Sequence, residues 1–169
     1  MPSIAELNVL SVSAARAEFL KCCGSRRWAD GMIARRPFAD TASLAAAADD
    51  IWSAATRDDC LEAFAAHLKI GSDVESLRTK FAHTARWSSQ EQAGISSADE
   101  TTIRRLAELN RVYDERFGCI FIVCATGKSA SEMLAILESR LGNNPVEELR
   151  IAAEEQRKIM HLRLAKLCP

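Results

Sequence analysis

Two side chains in this sequence combine useful chemistry with an unusual position, and the first is His67. It closes the segment LEAFAAH, a few residues before Gly71. A histidine at the end of a helix can complement the helix dipole in its cationic form. It can also serve as a general acid or base, because its pKa lies near neutrality. The sequence leaves both interpretations of His67 open.

The second such side chain is Arg163, near the end of the chain. Advancing about 100° per residue places it on the predicted inner face of a helix. The other members of that face are Leu149, Ala153, Gln156, Met160 and Leu167. An arginine on an inner face needs an anion that offsets its desolvation. That anion is either one of the chain's 23 acidic residues or a carboxylate ligand, which a guanidinium binds with two parallel hydrogen bonds.

Other motifs give weaker evidence of a site. His83 and His161 have the surroundings of solvated histidines, and no HxxxH or HxH spacing predicts a metal site. The segment IVCATGKS is similar to a phosphate-binding loop, but Ile122 stands where that loop requires a glycine. Gly127 is therefore more simply a turn residue, and nucleotide binding is kept only as an alternative.

The composition is that of a soluble globular protein with one domain, residues 1–169. A net charge of −1 gives no general attraction to nucleic acid or to an anionic membrane. No apolar stretch is long enough to cross a bilayer. Six cysteines without a CxxC pair predict free thiols in a reducing compartment.

Abundant alanine, leucine, glutamate and arginine, with few aromatic residues, predict an all-α fold of about eight helices. The predicted helices cover 3–9, 13–22, 26–35, 42–55, 57–67, 98–116, a segment opened by a capping box of Ser129 and Glu132 and ended at Leu141–Gly142, and 145–167. The predicted caps of three of them are Ser13 for 13–22, Thr41 for 42–55 and Asn144 for 145–167. Residues 72–87 are predicted as a loop with a short helix around 74–81, and Ser88 and Glu91 form a capping box before another short helix. The apolar run CIFIVCA is predicted as a buried helical or extended connector, since a lone strand would have no partner.

Five segments, in this order and spacing, resemble the 2-oxo-4-hydroxy-4-carboxy-5-ureidoimidazoline (OHCU) decarboxylase family. They are CCGSRRWADGMIARRPF, LEAFAAHLKIG, WSSQEQAG, ELNRVYDERFGCIFIVCATGKS and EELRIAAEEQRKIMHLRLAKL. The resemblance extends from about Leu20 to Leu167. The CCGS and IFIVCATGKS blocks are most similar to the plant branch of the family, in which this domain is joined to a transthyretin-like hydroxyisourate hydrolase.

The resemblance implies a single all-helical domain of the family's own type, often homodimeric, with no metal or organic cofactor. It implies a lyase of urate and purine catabolism that converts OHCU to (S)-allantoin and CO2. A hydroxyisourate hydrolase is the expected partner, fused or separate, and neither nucleic acid nor membrane is expected to bind. The expected compartment is the peroxisome or the cytoplasm, and no targeting signal is visible in the sequence.

The resemblance also implies the site residues. The implied catalytic residues are His67, Glu91 and Arg163. The implied substrate-binding residues are Leu68, Ser88, Gln92, Phe121, Ile122, Val123, Cys124 and Ala125. The family usually has a proline after its catalytic histidine, whereas this sequence has Leu68. A proline would restrain the backbone of the residue before it, so a helical interaction module without catalysis is kept as the alternative function.

Overall fold

The computed structural model describes residues 2–67 and 97–169, and within those ranges the chain forms eight α-helices and no β-strand. The helices are α1 Ile4–Val9, α2 Val12–Cys22, α3 Arg26–Ala34, α4 Thr41–Ser53, α5 Arg57–Ala65, α6 Ser97–Phe117, α7 Ala130–Arg140 and α8 Pro145–Leu167. The predicted all-α fold class is confirmed. The helix predicted around 74–81 and the capping box of Ser88 and Glu91 lie outside the described residues.

Helices α2 and α4 each begin one residue earlier than predicted, because their caps are different residues. Ser11, rather than Ser13, caps α2 and accepts a hydrogen bond from the third helical amide at 3.2 Å. Asp40, rather than Thr41, caps α4 and accepts from the third helical amide at 2.7 Å. A carboxylate or hydroxyl just outside the first turn satisfies N–H groups that have no partner within the helix.

The caps predicted for the last two helices are confirmed. Ser129 accepts from the amide of Glu132 at 3.3 Å, and the Glu132 carboxylate accepts from the amide of Ser129 at 2.7 Å. Asn144 caps α8 by accepting from two amides of its first turn, at 3.1 and 3.0 Å. Pro145 takes the first helical position, where the missing N–H has no cost.

Contacts between Cα atoms divide the chain into two compact units. The first unit consists of Met1–His67 with Leu149–Pro169, and the second consists of Leu68–Glu148. The first unit therefore holds α1 to α5 and most of α8, and the second holds α6 and α7. The assignment of residues 1–169 to one domain stays a prediction.

In the first unit, α3 packs against α2, α4 and α5, and two tryptophans link the helices. Trp28 lies edge-on to Phe19, with ring centroids 6.0 Å apart, and its indole N–H donates to the carbonyl of Ala48 at 3.1 Å. The indole N–H of Trp52 donates to the carbonyl of Ala153 at 3.0 Å. Because an indole that is buried needs a hydrogen-bond acceptor, these bonds fix how α4 lies against α3 and α8.

The buried stripe of α8 differs from the face that the sequence predicted. Its buried members in the first unit recur every four residues: Ala152, Gln156, Met160 and Leu164. The prediction was right for Gln156 and Met160, but Leu149, Ala153 and Leu167 are only partly buried. A four-residue interval makes the stripe wind slowly around the helix, whereas the predicted face assumed a mixture of three- and four-residue steps. Arg163 lies at the edge of the stripe and is half-buried.

In the second unit, α6 packs against α7 around a small apolar core. The core consists of Ile103, Leu106, Leu109, Tyr113, Met133 and Leu137. Residues 119–125, between these helices, form neither helix nor strand, which agrees with the predicted extended connector. Gly118 (φ 70°) ends α6 and Gly127 (φ 75°) follows the connector, so both occupy the left-handed backbone region that favours glycine.

A buried ion pair holds this connector within the second unit. Arg140 and Glu148 are 5% and 1% exposed, and Nε of the arginine lies 2.8 Å from the carboxylate. The hydroxyl of Tyr113 donates to the same carboxylate, and Asn143 donates to its other oxygen at 2.7 Å. Arg140 also donates to the carbonyl of Ile122 at 2.7 Å. Burial raises the pKa of Tyr113, so its hydroxyl remains a proton donor.

Replacing Glu148 by alanine is expected to lower the free energy of unfolding by about 3–5 kcal/mol, because Arg140 would stay buried without its anion. Denaturant unfolding followed by circular dichroism measures the change. Glu138→Ala is the matched control, since that half-exposed carboxylate forms a pair with Arg105 at 3.7 Å. The control should change stability by about 1 kcal/mol or less. Equal effects of the two substitutions would contradict the importance of the buried pair.

Candidate active site

His67 lies just beyond the end of α5, one residue after its C-cap, Ala66. The amide of His67 donates to the carbonyl of Phe64 at 3.0 Å, so the chain completes one tighter turn after the helix stops. At the other end of α5, Thr56 and Asp59 form a capping box. The helix is therefore fixed at both termini, and the imidazole of His67 is half-buried in the first unit.

Two side chains of α8 contact the imidazole, one at each ring nitrogen. Nε2 of His67 lies 2.5 Å from Oε1 of Gln156. Nδ1 of His67 lies 3.5 Å from Nη2 of Arg163. The two contacting residues are about two helical turns apart, so they share one side of α8 and flank the ring.

The surroundings of His67 favour its neutral form. Burial lowers the pKa of the imidazole, and the positive charge of Arg163 lowers it further. The hydrogen bond with Gln156 raises the pKa but offsets only part of this change. A neutral imidazole is suited to accepting a proton, so the site supports the acid–base interpretation of His67 over the cationic helix-end interpretation.

Arg163 is held by backbone carbonyls at the end of α2. Its Nη1 donates to the carbonyl of Lys21 at 3.2 Å and to that of Cys22 at 3.5 Å. Among residues 2–67 and 97–169, no carboxylate lies within 4.0 Å of this guanidinium. No carboxylate in those ranges therefore forms the internal salt bridge that the sequence left open. N–H donors of Arg163 remain for an anion.

Gly24 allows the end of α2 to approach the end of α5 closely. A Cβ atom at this position would lie 2.2 Å from Cβ of Ala66 and 3.3 Å from the carbonyl oxygen of Ala63. Any larger residue would therefore push α5 away at the point where it presents His67. The glycine of the CCGS block thus has a packing reason that its position in the sequence does not reveal.

The predicted site residues fall into three groups. His67 and Arg163 meet in the first unit. The connector of the second unit contains Phe121, Ile122, Val123, Cys124 and Ala125. Outside the described residues lie Leu68, Ser88, Glu91 and Gln92. The roles assigned to all of them stay predictions.

Gln156 is the contact that sequence reasoning missed. The periodicity of α8 placed it on the inner face but gave it no role, although it is fully buried and touches His67. The available signal was a lone amide among apolar residues, because a buried polar group requires a partner.

The cysteine thiols and a second histidine are further groups of the described residues that could do chemistry. None of the six cysteines forms a disulfide, and burial raises the pKa of Cys22 to about 12 and that of Cys23 and Cys60 to about 11. These thiols are protonated at neutral pH and are therefore weak nucleophiles. His161 lies 2.7 Å from a carboxylate oxygen of Asp49. No group of three or more potential metal ligands occurs in the part of the chain that the structure describes.

The TGKS segment does not have the arrangement of a nucleotide-binding loop. Nζ of Lys128 donates to the carbonyl of Cys124 at 2.7 Å, and the hydroxyl of Ser129 is engaged in the capping box of α7. The lysine and the hydroxyl that would bind phosphate and metal are thus used within the chain. None of the described helices is both long and apolar enough to cross a membrane.

Comparison with known proteins finds one family and several relatives. The sequence profile of the family described as OHCU decarboxylase matches residues 8–165. The uric acid degradation bifunctional protein TTL of Arabidopsis thaliana is 38% identical over 151 residues, which are 89% of this chain and 46% of that protein. An OHCU decarboxylase of Amia calva is 43% identical over 82 residues, 47% of each chain. The chain thus spans about half the length of these curated relatives.

A solved structure is also similar. A crystal structure of OHCU decarboxylase in the presence of (S)-allantoin matches with a TM-score of 0.72 and 38% identity. The match covers 89% of this chain and 96% of that one.

Replacing Gly24 by alanine is expected to lower the free energy of unfolding by about 1–3 kcal/mol, because the added methyl overlaps Ala66. Thermal and denaturant unfolding measure the change. Gly142→Ala is the control, since the nearest atom to its added methyl is 3.9 Å away. The control should change stability by no more than about 0.5 kcal/mol. A Gly24 variant as stable as the control would show that the close approach to Ala66 is not required.

Proposed function

Because this chain belongs to the OHCU decarboxylase family, we propose that it converts OHCU to (S)-allantoin and CO2. The observation that carries the proposal is the pairing of Arg163 with a neutral His67 in the first unit. An anionic substrate needs a cation that is not already neutralised by the protein. Its reaction needs a group that moves one proton, and the two side chains supply these functions together.

The reaction can proceed without an electron sink other than the substrate. OHCU carries its carboxylate on a ring carbon next to an imine. When the bond to the carboxylate breaks, CO2 leaves and the conjugated ring takes up the electron pair. A proton is added to the former imine nitrogen. The hydroxyl on the carbon that lost CO2 gives up its proton and becomes a carbonyl, and a proton is added to the neighbouring ring carbon. The protein must bind the anion, orient the breaking bond across the ring plane and direct that proton to one face.

We assign these tasks to the residues implied by the family. Arg163 binds the anionic oxygens of the substrate, which a guanidinium fork matches in geometry. His67 orients the carboxylate or the hydroxyl and takes part in proton transfer. Glu91 binds N–H groups of the ureido substituent or of the ring, with Gln92 beside it. Fixed orientation and electrostatics of this kind lower the barrier by several kcal/mol.

The decisive experiment is a coupled assay of optical activity. Urate oxidase and hydroxyisourate hydrolase generate the unstable substrate from urate, and circular dichroism follows (S)-allantoin after this protein is added. Spontaneous decay gives racemic allantoin, so a growing signal reports catalysis directly. His67→Asn and Arg163→Met should each reduce the rate by about 10²-fold or more, because each removes a catalytic contact.

Arg157→Met is the matched control for the arginine of the site. Arg157 belongs to the same helix, but its guanidinium contacts Asp49 and Glu154 at the surface, and the rate should be unchanged. A folded protein that gives no signal would be tested again as Leu68→Pro. Rescue would show a family member impaired at that position. If neither the unaltered chain nor Leu68→Pro produces a circular dichroism signal, the proposal is overturned in favour of a non-catalytic helical module.

We propose further that the chain acts next to a hydroxyisourate hydrolase, in the peroxisome or the cytoplasm. Relatives named uric acid degradation bifunctional proteins support this association. The instability of the substrate gives a physical reason, since a nearby hydrolase would deliver it before it decays.

The family resemblance also supports a homodimer. Sedimentation equilibrium should then give about twice the 18.6 kDa of one chain. A mass that stays at that of one chain at micromolar concentration would contradict the dimer and leave the proposed activity untouched.

A further inference from the structure

Gln156 is the one buried polar side chain on an otherwise apolar stretch of α8 within the first unit. Its neighbours on the stripe are Ala152, Met160 and Leu164, and none of its own surface is exposed. Its Oε1 contacts His67, but its Nε2 has no hydrogen-bond partner among the described residues. The thiol of Cys23, a weak acceptor, lies near the side chain of Gln156. The amide therefore makes its hydrogen bond through its oxygen rather than through its N–H groups.

The contacts of His67 select one arrangement of its protons. A guanidinium can only donate hydrogen bonds, so Nδ1, which faces Arg163, must be an acceptor. An amide oxygen can only accept, so Nε2, which faces Gln156, must carry the proton. Both contacts therefore require the same neutral tautomer. A reversed amide would force Nδ1 to carry the proton and to point it at the donors of Arg163.

We propose that Gln156 is a positioning residue: its oxygen holds His67 as the Nε2–H tautomer and keeps the Nδ1 lone pair on the side of Arg163. Nδ1 is then the atom that exchanges a proton with the bound substrate. The inference rests on the proposed function, since it names the atom of His67 that acts in that reaction. It assigns to Gln156 no contact with the substrate.

A glutamine at position 156 orients His67 without adding a negative charge. Among residues 2–67 and 97–169, Arg163 is the charged group that faces the ring, and the thiols of Cys22 and Cys23 nearby stay protonated because burial raises their pKa. A glutamate at position 156 would stabilise the imidazolium and raise the pKa of His67. Glutamine gives the same orientation without that charge, so the ring stays neutral and Nδ1 stays available.

Two substitutions at this position are predicted to move the pKa of His67 in opposite directions. Gln156→Glu keeps an acceptor and adds a negative charge, so the pKa should rise. Gln156→Leu removes the acceptor for the buried Nε2–H of His67. The imidazolium depends on that acceptor more than the neutral ring does, so the pKa of His67 should fall. Long-range ¹H–¹⁵N correlation spectra of the histidine-labelled full chain, recorded against pH, give both the pKa and the tautomer. The His67 signals are identified by their loss in His67→Asn.

Kinetics give a second, independent measurement of the same effect. The acid limb of the pH profile for (S)-allantoin formation should follow the pKa of His67, upward in Gln156→Glu and downward in Gln156→Leu. Gln156→Leu should lower kcat by about 10²-fold with little change in KM, because the ring is misplaced while Arg163 still binds the anion. Gln156→Glu should recover much of that loss at pH values above its raised acid limb.

Lys166→Met controls for an apolar substitution on the same helix, since this lysine is exposed. It should leave the titration and the rate unchanged. Folded variants at position 156 whose histidine titrations coincide with that of the unaltered chain would overturn the proposal. So would a proton on Nδ1 in the unaltered chain, a result that does not depend on any variant. The spectra require no turnover, so failure of the proposed activity can be distinguished from failure of this inference.

Discussion

The imidazole of His67 lies between a group that can only accept hydrogen bonds and a group that can only donate them, and the site of the first unit depends on this constraint. The oxygen of Gln156 and the guanidinium of Arg163 come from one face of α8, so their spacing is set by the helix itself. The other elements bring the ring into that space. Trp52 ties α8 to α4 through the carbonyl of Ala153, and Gly24 lets the end of α2 approach the end of α5. The geometry of His67 is thus the combined result of several ordinary packing contacts.

A different device orders the second unit, where the connector 119–125 has no regular structure of its own. Its backbone is held by Arg140, which donates to the carbonyl of Ile122 and is itself neutralised by Glu148. A buried ion pair gains little stability over well-packed apolar residues, because both charges must leave water. The ion pair instead restricts the local geometry, since a guanidinium fork binds its partners in few alternative arrangements. The connector is therefore fixed where neither a helix nor a sheet would fix it.

Much of this was accessible from the sequence, because helix boundaries depend on local chemistry. The caps at Ser129 and Asn144 and the turn at Gly127 follow from residues within a few positions of each other. The early starts at Ser11 and Asp40 were missed because neighbouring residues compete for the same role. The pairing of Gln156 with His67 joins residues 89 positions apart, and no local pattern encodes it. Periodicity marked Arg163 as unusual but could not distinguish an internal carboxylate from a ligand, since that choice depends on tertiary contacts.

Stability alone does not account for the polar groups gathered at this point. A buried amide with unpaired N–H groups costs about 1–3 kcal/mol, and the apolar stripe of α8 would accept a leucine or a methionine in place of Gln156. His67 adds a pH-dependent cost. Burial lowers the pKa of His67 below the ordinary value of 6.5, so the unfolded chain binds the proton more readily than the folded chain. The stability of the fold therefore falls as the pH drops through 6.5. The two costly side chains, Gln156 and His67, contact each other and lie beside the half-buried Arg163. Both costs have one explanation if the imidazole of His67 must stay neutral with one nitrogen free to accept a proton. The proposed acid–base reaction needs both residues in this arrangement, whereas the stability of the fold needs neither.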